Sequence, residues 1–195
     1  MQHGSFDNYM AQLSVNTSVH ANNETSIDDG SSNYWLPALA SLGKAPFNNQ
    51  SNYTVFRDVT TYGASPAGDV DATEAINAAI QDGNRCGLEC GGSFTQPAII
   101  YFPPGTYNIC RPIIQLYNTQ FVGDATDRPT LVGCDSFQGI ALIDTDPYVP
   151  DGKGKQWYIP TNQFFRQIRN LVLDLRLMPL STADGVQDYV PTGIQ

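Results

Sequence analysis

Ala98-Ile99-Ile100-Tyr101-Phe102-Pro103-Pro104-Gly105-Thr106-Tyr107-Asn108-Ile109 decides the fold of this chain. It holds two short, apolar, β-rich runs joined by a proline–glycine corner rather than a hairpin turn. The texture recurs toward the C-terminus in Thr119-Gln120-Phe121-Val122, Pro129-Thr130-Leu131-Val132, Ile140-Ala141-Leu142-Ile143 and Ile168 to Leu175. Turn signals at Gly123-Asp124, Gly133 and Asp144 to Gly154 separate these runs. No tight Asn-Gly turn links any two of them, and no long helical segment intervenes, so hairpin and βαβ architectures are excluded. Short strands with irregular corners predict a parallel β-solenoid, in which each strand stacks on its counterpart one coil later. In the last run Leu171, Leu173 and Leu175 share the inward face, and Asn170 breaks the phase at a bend. Gln167 then projects outward beside Arg169.

Upstream the pattern differs. Residues 1–32 are rich in Asn, Ser, Thr and Asp without a period, and read as a mobile arm before a domain spanning 33–195. Trp35, Leu36, Leu39 and Leu42 follow helical spacing between Asn33 as N-cap and Gly43, predicting a short helix that docks its tryptophan. Val55 to Val59 alternates like a strand, and Thr60 to Gly68 is turn chemistry. The clearest helix follows, from Asp71 to Asp82. Asp71 is expected to cap it, Glu74 completes a capping-box-like start, and Gly83 ends it. Its narrow stripe of Ala72, Ala75, Ile76, Ala79 and Ile80 suits a helix lying flush on the end of a strand stack.

Composition narrows the function classes. Of 195 residues, 15% are charged and 41% are hydrophobic, and the formal net charge is −9. A polyanionic nucleic acid would be repelled, and no apolar stretch is long enough to span a membrane. An acidic surface also disfavours polygalacturonate and is compatible with a neutral polysaccharide. No signal peptide is visible before Asp7. Secretion is inferred instead from sequons at Asn16, Asn23, Asn49 and Asn52 and from an even set of 4 cysteines. Both histidines, His3 and His20, lie in the arm, so a Cys–His metal site cannot be assembled around Cys86 and Cys90. Disulfides are the expectation. Cys86–Cys90 would close a loop after the helix. Cys110 and Cys134 both follow β-rich runs about one coil apart, and counterparts in adjacent coils lie about 4.8 Å apart, within disulfide reach.

Catalytic candidates are scarce. Glu24 lies in the arm, Glu74 at a helix start and Glu89 between two cysteines. Asp144 and Asp146 form a carboxylate pair on a functional reading and turn formers on the plainer one, which is preferred. Asp69 and Asp71 offer too few oxygens for a calcium loop. No cofactor or metal is expected. Gln167 and Arg169 are the candidates for hydrogen-bonding sugar hydroxyls. Trp157, Tyr158, Phe164 and Phe165 are aromatic enough to stack on sugar rings, but are expected to serve mainly as core or loop anchors.

Asp58-Val59-Thr60-Thr61-Tyr62-Gly63-Ala64 with Gly68 to Ile76 resembles the opening motif of pectate-lyase-like right-handed parallel β-helices, a signature of fold rather than activity. Further segments narrow the likeness: Tyr34-Trp35-Leu36, Ala45-Pro46-Phe47-Asn48, Gly83-Asn84-Arg85-Cys86-Gly87, Tyr101 to Tyr107, Gln156-Trp157-Tyr158 and Asn162 to Asn170. Together they resemble glycoside hydrolase family 55, the exo-acting β-1,3-glucanases. The resemblance covers Tyr34 to the C-terminus. It implies a secreted enzyme with two β-helices in one chain. Glucan binds between them, hydrolysis proceeds from the non-reducing end with inversion, and the catalytic Glu lies in the second β-helix. The present chain would then be an incomplete first β-helix that is inactive alone. Gln195 stands where the family carries a histidine. The alternatives are a non-catalytic glucan-binding fragment, or a lyase of the same fold, which Lys44, Lys153 and Lys155 alone would serve poorly. The last coil is expected to leave an open edge.

Overall fold

The computed structural model describes residues 33–38, 45, 47–88, 90, 94–179 and 191–195. The arm, with His3, Asn16, His20, Asn23 and Glu24, lies outside them, as do Glu89 and the Gly43 end of the first expected helix. The strands are β1 (Phe56–Asp58), β2 (Ala67–Asp71), β3 (Ala98–Phe102), β4 (Thr106–Ile109), β5 (Ile113–Ile114) and β6 (Thr119–Gly123). They continue as β7 (Thr130–Gly133), β8 (Ala141–Asp144), β9 (Gln167–Arg169), β10 (Val172–Asp174) and β11 (Thr192–Ile194), and the helix α1 spans Thr73–Gln81.

These strands form three sheets, ordered β1-β3-β6-β9, β2-β4-β7-β10 and β5-β8-β11. Every ladder is parallel. Successive strands therefore visit the sheets in turn, and each coil stacks on the one before it. Parallel stacking places like on like inside. Ile100, Phe121 and Ile168 are in register in the first sheet, and Tyr107, Leu131 and Leu173 in the second. The described residues are mostly β with one α-helix, α1, the second of the two helices that the periodicity predicts.

Burial of these inward residues holds the coils together. Ile100, Phe102, Tyr107, Ile109, Phe121, Leu131 and Leu142 are fully buried in one core. Each contributes about 1.5–3 kcal/mol relative to exposure. Phe102 meets Tyr107 and Phe121 edge-on at 6.0 and 5.8 Å. At the corner the coils approach too closely for a side chain. A Cβ on Gly105, at φ +142°, would lie 2.4 Å from the Pro66 carbonyl oxygen. Asn170, at φ +57°, divides β9 from β10, and its amide donates to the Gly123 carbonyl.

α1 occupies the first-coil position of the third sheet. Its Asn77 does the work of a strand: the side-chain nitrogen donates to Pro112 O at 3.0 Å, and the side-chain oxygen accepts from Ile114 N at 2.9 Å. The start of the helix differs from the capping box expected. Asp71 ends β2 and caps from one position earlier, its carboxylate accepting from Thr73 N at 2.9 Å. Glu74 does not reach back; it pairs with exposed Arg111 at 2.6 Å. The helix begins at Thr73, so the residue three along from its true start is no longer Glu74. At the other end Arg57 and Arg85 both donate to the last carbonyls. Arg57 reaches Ala79 O at 2.7 Å and Ile80 O at 3.2 Å, and Arg85 reaches Ile80 O at 3.0 Å. Two cations sit at the negative end of the helix dipole. Burial holds the Arg85 pKa down, to about 10.

Two disulfides are present. Cys86–Cys90 spans a Cα separation of 5.3 Å and Cys110–Cys134 one of 5.1 Å. The second joins equivalent positions of adjacent coils, one residue beyond the register pair Ile109 and Gly133.

Candidate functional site

The outward face of the first sheet gathers the polar residues of interest. Alternation in β3, β6 and β9 turns Ile100, Phe121 and Ile168 inward, so their neighbours point out. One outward column runs Phe56, Ile99, Gln120, Gln167 and the other Asp58, Tyr101, Val122, Arg169. Neighbouring strands are about 4.8 Å apart, so Gln120 and Gln167 present adjacent amides. Gln167 and Arg169 are exposed. Both were visible in the sequence; the alignment of Gln167 with Gln120 and of Arg169 with Val122 was not, because register across coils is a tertiary fact.

Gln167 is held from below. Gln115, 1% exposed, donates its side-chain nitrogen to Gln167 O at 2.9 Å and to Thr119 O at 3.1 Å. A buried amide thus ties the starts of β6 and β9 together. Nothing in the local pattern around Gln115 signals this, since its partner lies in another coil.

The N-terminal segment covers the other end of this face. Leu36 is buried with Tyr101 and Val122, and Tyr34 packs 6.2 Å from Tyr101. Here the sequence-based expectation needs correcting: Leu36 docks, while Trp35 remains 59% exposed. Within 33–38 the 3-10 turn is at Pro37 and Ala38, and Trp35 precedes it in a bend. Beneath this cover the Tyr101 hydroxyl donates to buried Asp124 at 2.9 Å. Burial and that carboxylate push the Tyr101 pKa well above the ordinary phenol range.

The four aromatic candidates divide. Tyr158 is a loop anchor, its buried hydroxyl donating to Cys86 O at 2.9 Å and accepting from Tyr117 N at 3.2 Å. Trp157 packs half-buried on the core. Phe164 and Phe165 are exposed. Phe165 contacts Phe94 edge-on at 5.2 Å, a partner the sequence did not reveal.

Asp144 and Asp146 behave as corner residues. Asp144 accepts from Asp146 N at 2.9 Å, and Asp146 accepts from Tyr158 N at 3.0 Å. Asp144 is nevertheless buried, and burial raises its pKa, opposed by the Asp146 amide and the Arg166 charge. Arg166 turns away from the outward columns, its guanidinium 4.7 Å from the Tyr158 ring centre. Asp69 is engaged by Ser65 at 2.6 Å. The sequon residues Asn49 and Asn52 are exposed.

Chemically, β6 and β9 offer outward amides and a guanidinium, donors and acceptors suited to hydroxyl groups. Among the described residues Glu74 is the only glutamate, and it sits exposed on α1 in its pair with Arg111.

Comparison with known proteins places the chain. Residues 56–194 match the family model described as "Rhamnogalacturonase A/epimerase, pectate lyase-like". A probable glucan endo-1,3-beta-glucosidase of Arthroderma benhamiae is 53% identical over 145 residues, 74% of this chain and 16% of that protein. A protein of Penicillium expansum named non-secreted LysM effector LysM19 is 46% identical over 80% of this chain and 13% of its own length. A glucan 1,3-beta-glucosidase of Cochliobolus carbonum is 47% identical over 72% of this chain and 18% of its own length. The chain therefore spans less than a fifth of each of these relatives. With parallel ladders in three sheets and a match running from β1 to β11, the chain belongs to the pectate-lyase-like family of rhamnogalacturonase A and epimerases.

Proposed function

We propose that this chain is the first, right-handed β-helix of a secreted fungal-type glycoside hydrolase of family 55 that cleaves β-1,3-glucan. The observation that carries the proposal is the identity, 53% to a protein named probable glucan endo-1,3-beta-glucosidase and 47% to one named glucan 1,3-beta-glucosidase. The two disulfides favour an oxidising compartment, and exposed Asn49 and Asn52 suit glycan attachment, as do Asn16 and Asn23 in the arm.

In this reading Gln167, aligned with Gln120, and Arg169, aligned with Val122, line one wall of a cleft and hydrogen-bond glucan hydroxyls. A second β-helix supplies the other wall and the catalytic acid. Hydrolysis with inversion needs an acid for the leaving oxygen and a base for water on the opposite face. Glu74 meets neither need, being tied to Arg111 at the stack's capped end. The 195-residue chain alone is expected not to hydrolyse laminarin, whereas a longer chain carrying the second β-helix should release glucose from the non-reducing end. Glucose release by the pure short chain would refute the division of labour. A longer chain inactive on laminarin would refute the glucanase reading.

The match to a protein named non-secreted LysM effector LysM19 favours a second reading, a non-catalytic module. Glucan binding by the longer chain without turnover would support it.

A further inference from the structure

We propose that Phe94, Phe164 and Phe165 form an aromatic platform where the first sheet begins, taking the C–H face of a neutral β-linked glucan beside the amides of Gln120 and Gln167. The inference rests on the glucan reading above and assigns it a subsite.

The segments that carry these rings lead into β3, β6 and β9, the first-sheet strands of successive coils. Backbone bonds lace them together, Ala98 N donating to Asn118 O at 3.1 Å and Asn118 N to Phe164 O at 3.4 Å. Buried Tyr117 anchors the cluster. Phe94 and Phe165 meet it edge-on at 6.1 and 6.0 Å, Phe94 meets Phe165 at 5.2 Å, and Phe164 lies 6.3 Å from Phe165. Yet Phe94, Phe164 and Phe165 are 62%, 54% and 57% exposed. An apolar patch gathered from separate segments and left open marks a binding surface. The outward amides adjoin it along the chain. Phe165 precedes Gln167 by two residues, a Cα separation of at most about 7 Å, and Gln167 is in register with Gln120.

The backbone singles out the Phe165 ring. Asn118 and Phe165 occupy equivalent corner positions, each two residues ahead of the register pair Gln120 and Gln167. Both are left-handed, at φ +53° and +59°. Asn tolerates that conformation, whereas a bulky aromatic is strained in it. Full burial does not offset the strain, because Phe165 is exposed. What the ring presents to solvent accounts for its place.

A phenyl face is electron-rich, and the axial C–H groups of a β-linked glucopyranose carry the complementary positive charge. The amides of Gln120 and Gln167 can donate to and accept from the equatorial hydroxyls. A uronate would bring carboxylates toward the same negative faces.

Laminarihexaose titrated calorimetrically into the 195-residue protein is expected to give a saturable isotherm. Phe165→Asn, which copies Asn118, should weaken binding about tenfold while its melting temperature stays equal or rises. Phe94→Ala, in a different segment, should also weaken binding, and Phe165→Tyr should retain it. Wild-type affinity in Phe165→Asn would overturn the proposal, as would no saturable heat in wild type or equal binding of oligogalacturonate. A lower melting temperature in Phe165→Asn would overturn it too, by making the ring a packing anchor. Failure of the glucanase reading is read separately. Phe165-dependent binding with no turnover of laminarin by the longer chain sinks that reading alone. Turnover by the longer chain with a KM unchanged by Phe165→Asn sinks the platform alone.

Discussion

Removing the two buried arginines at the end of α1 should cost more together than separately. Arg57 is 2% exposed and donates to Thr54 O, Ala79 O and Ile80 O. Arg85 donates to Gln96 O, Tyr117 O, Asn118 O and Ile80 O. Ile80 O is the shared acceptor. Arg57→Met leaves Thr54 O and Ala79 O without these donors while Arg85 still serves Ile80 O. Each buried orphan carbonyl costs about 1–3 kcal/mol, and relief of a buried charge offsets part of that, so a net loss of about 2–4 kcal/mol is expected. Arg85→Met leaves Gln96 O and Tyr117 O without these donors, while Asn118 O keeps the Ala98 amide at 3.1 Å, and should cost about 2–4 kcal/mol. Only the double variant orphans Ile80 O, adding about 1–3 kcal/mol beyond the sum. Repulsion between the two guanidiniums acts in the same sense, because either single change already relieves it. Urea unfolding of the four proteins of the cycle, followed by far-ultraviolet circular dichroism, measures the coupling. Additivity within about 0.5 kcal/mol would refute the shared-acceptor argument.

Further expectations can be checked by standard means. Replacing Cys110 and Cys134 together by Ala should lower stability by about 3 kcal/mol, the entropy of the open loop, in an unfolding curve at fixed pH. The raised pKa of Asp144 means that stability falls as pH rises from the ordinary carboxylate range through its folded value. Asp144→Asn should flatten that limb of a melting-temperature profile, and an unchanged limb would refute the assignment. Asp174 behaves oppositely: Arg176 holds its pKa down to about 2, so its contribution is present above the ordinary carboxylate value and is lost as pH falls toward 2. The fourth coil presents Val172, Leu173, Leu175 and Met178 along a groove of ≈ 620 Å³. The 195-residue polypeptide is therefore expected to associate with rising concentration in light scattering, and a sharp monomer at all concentrations would contradict this.

Local sequence was enough for the strands whose side chains alternate or cluster strongly, such as Ala98–Phe102, Thr106–Ile109 and Thr119–Gly123. It also determined the Ala-rich face of α1 and the bend at Asn170, because hydrophobic period and turn chemistry are local properties. β2 escaped because Ala67-Gly68-Asp69-Val70-Asp71 is an exposed edge with no apolar phase, and β5 because two residues carry no period. Gln167 and Arg169 were legible as outward polar residues. Their alignment with Gln120 and Val122, the Gln115 clamp on Gln167, the choice of Leu36 over Trp35 for docking and the shared carbonyl of Arg57 and Arg85 were set by tertiary packing. Each joins residues from different coils or from outside the solenoid pattern. Stacking register, which no local stretch encodes, sets which of them meet.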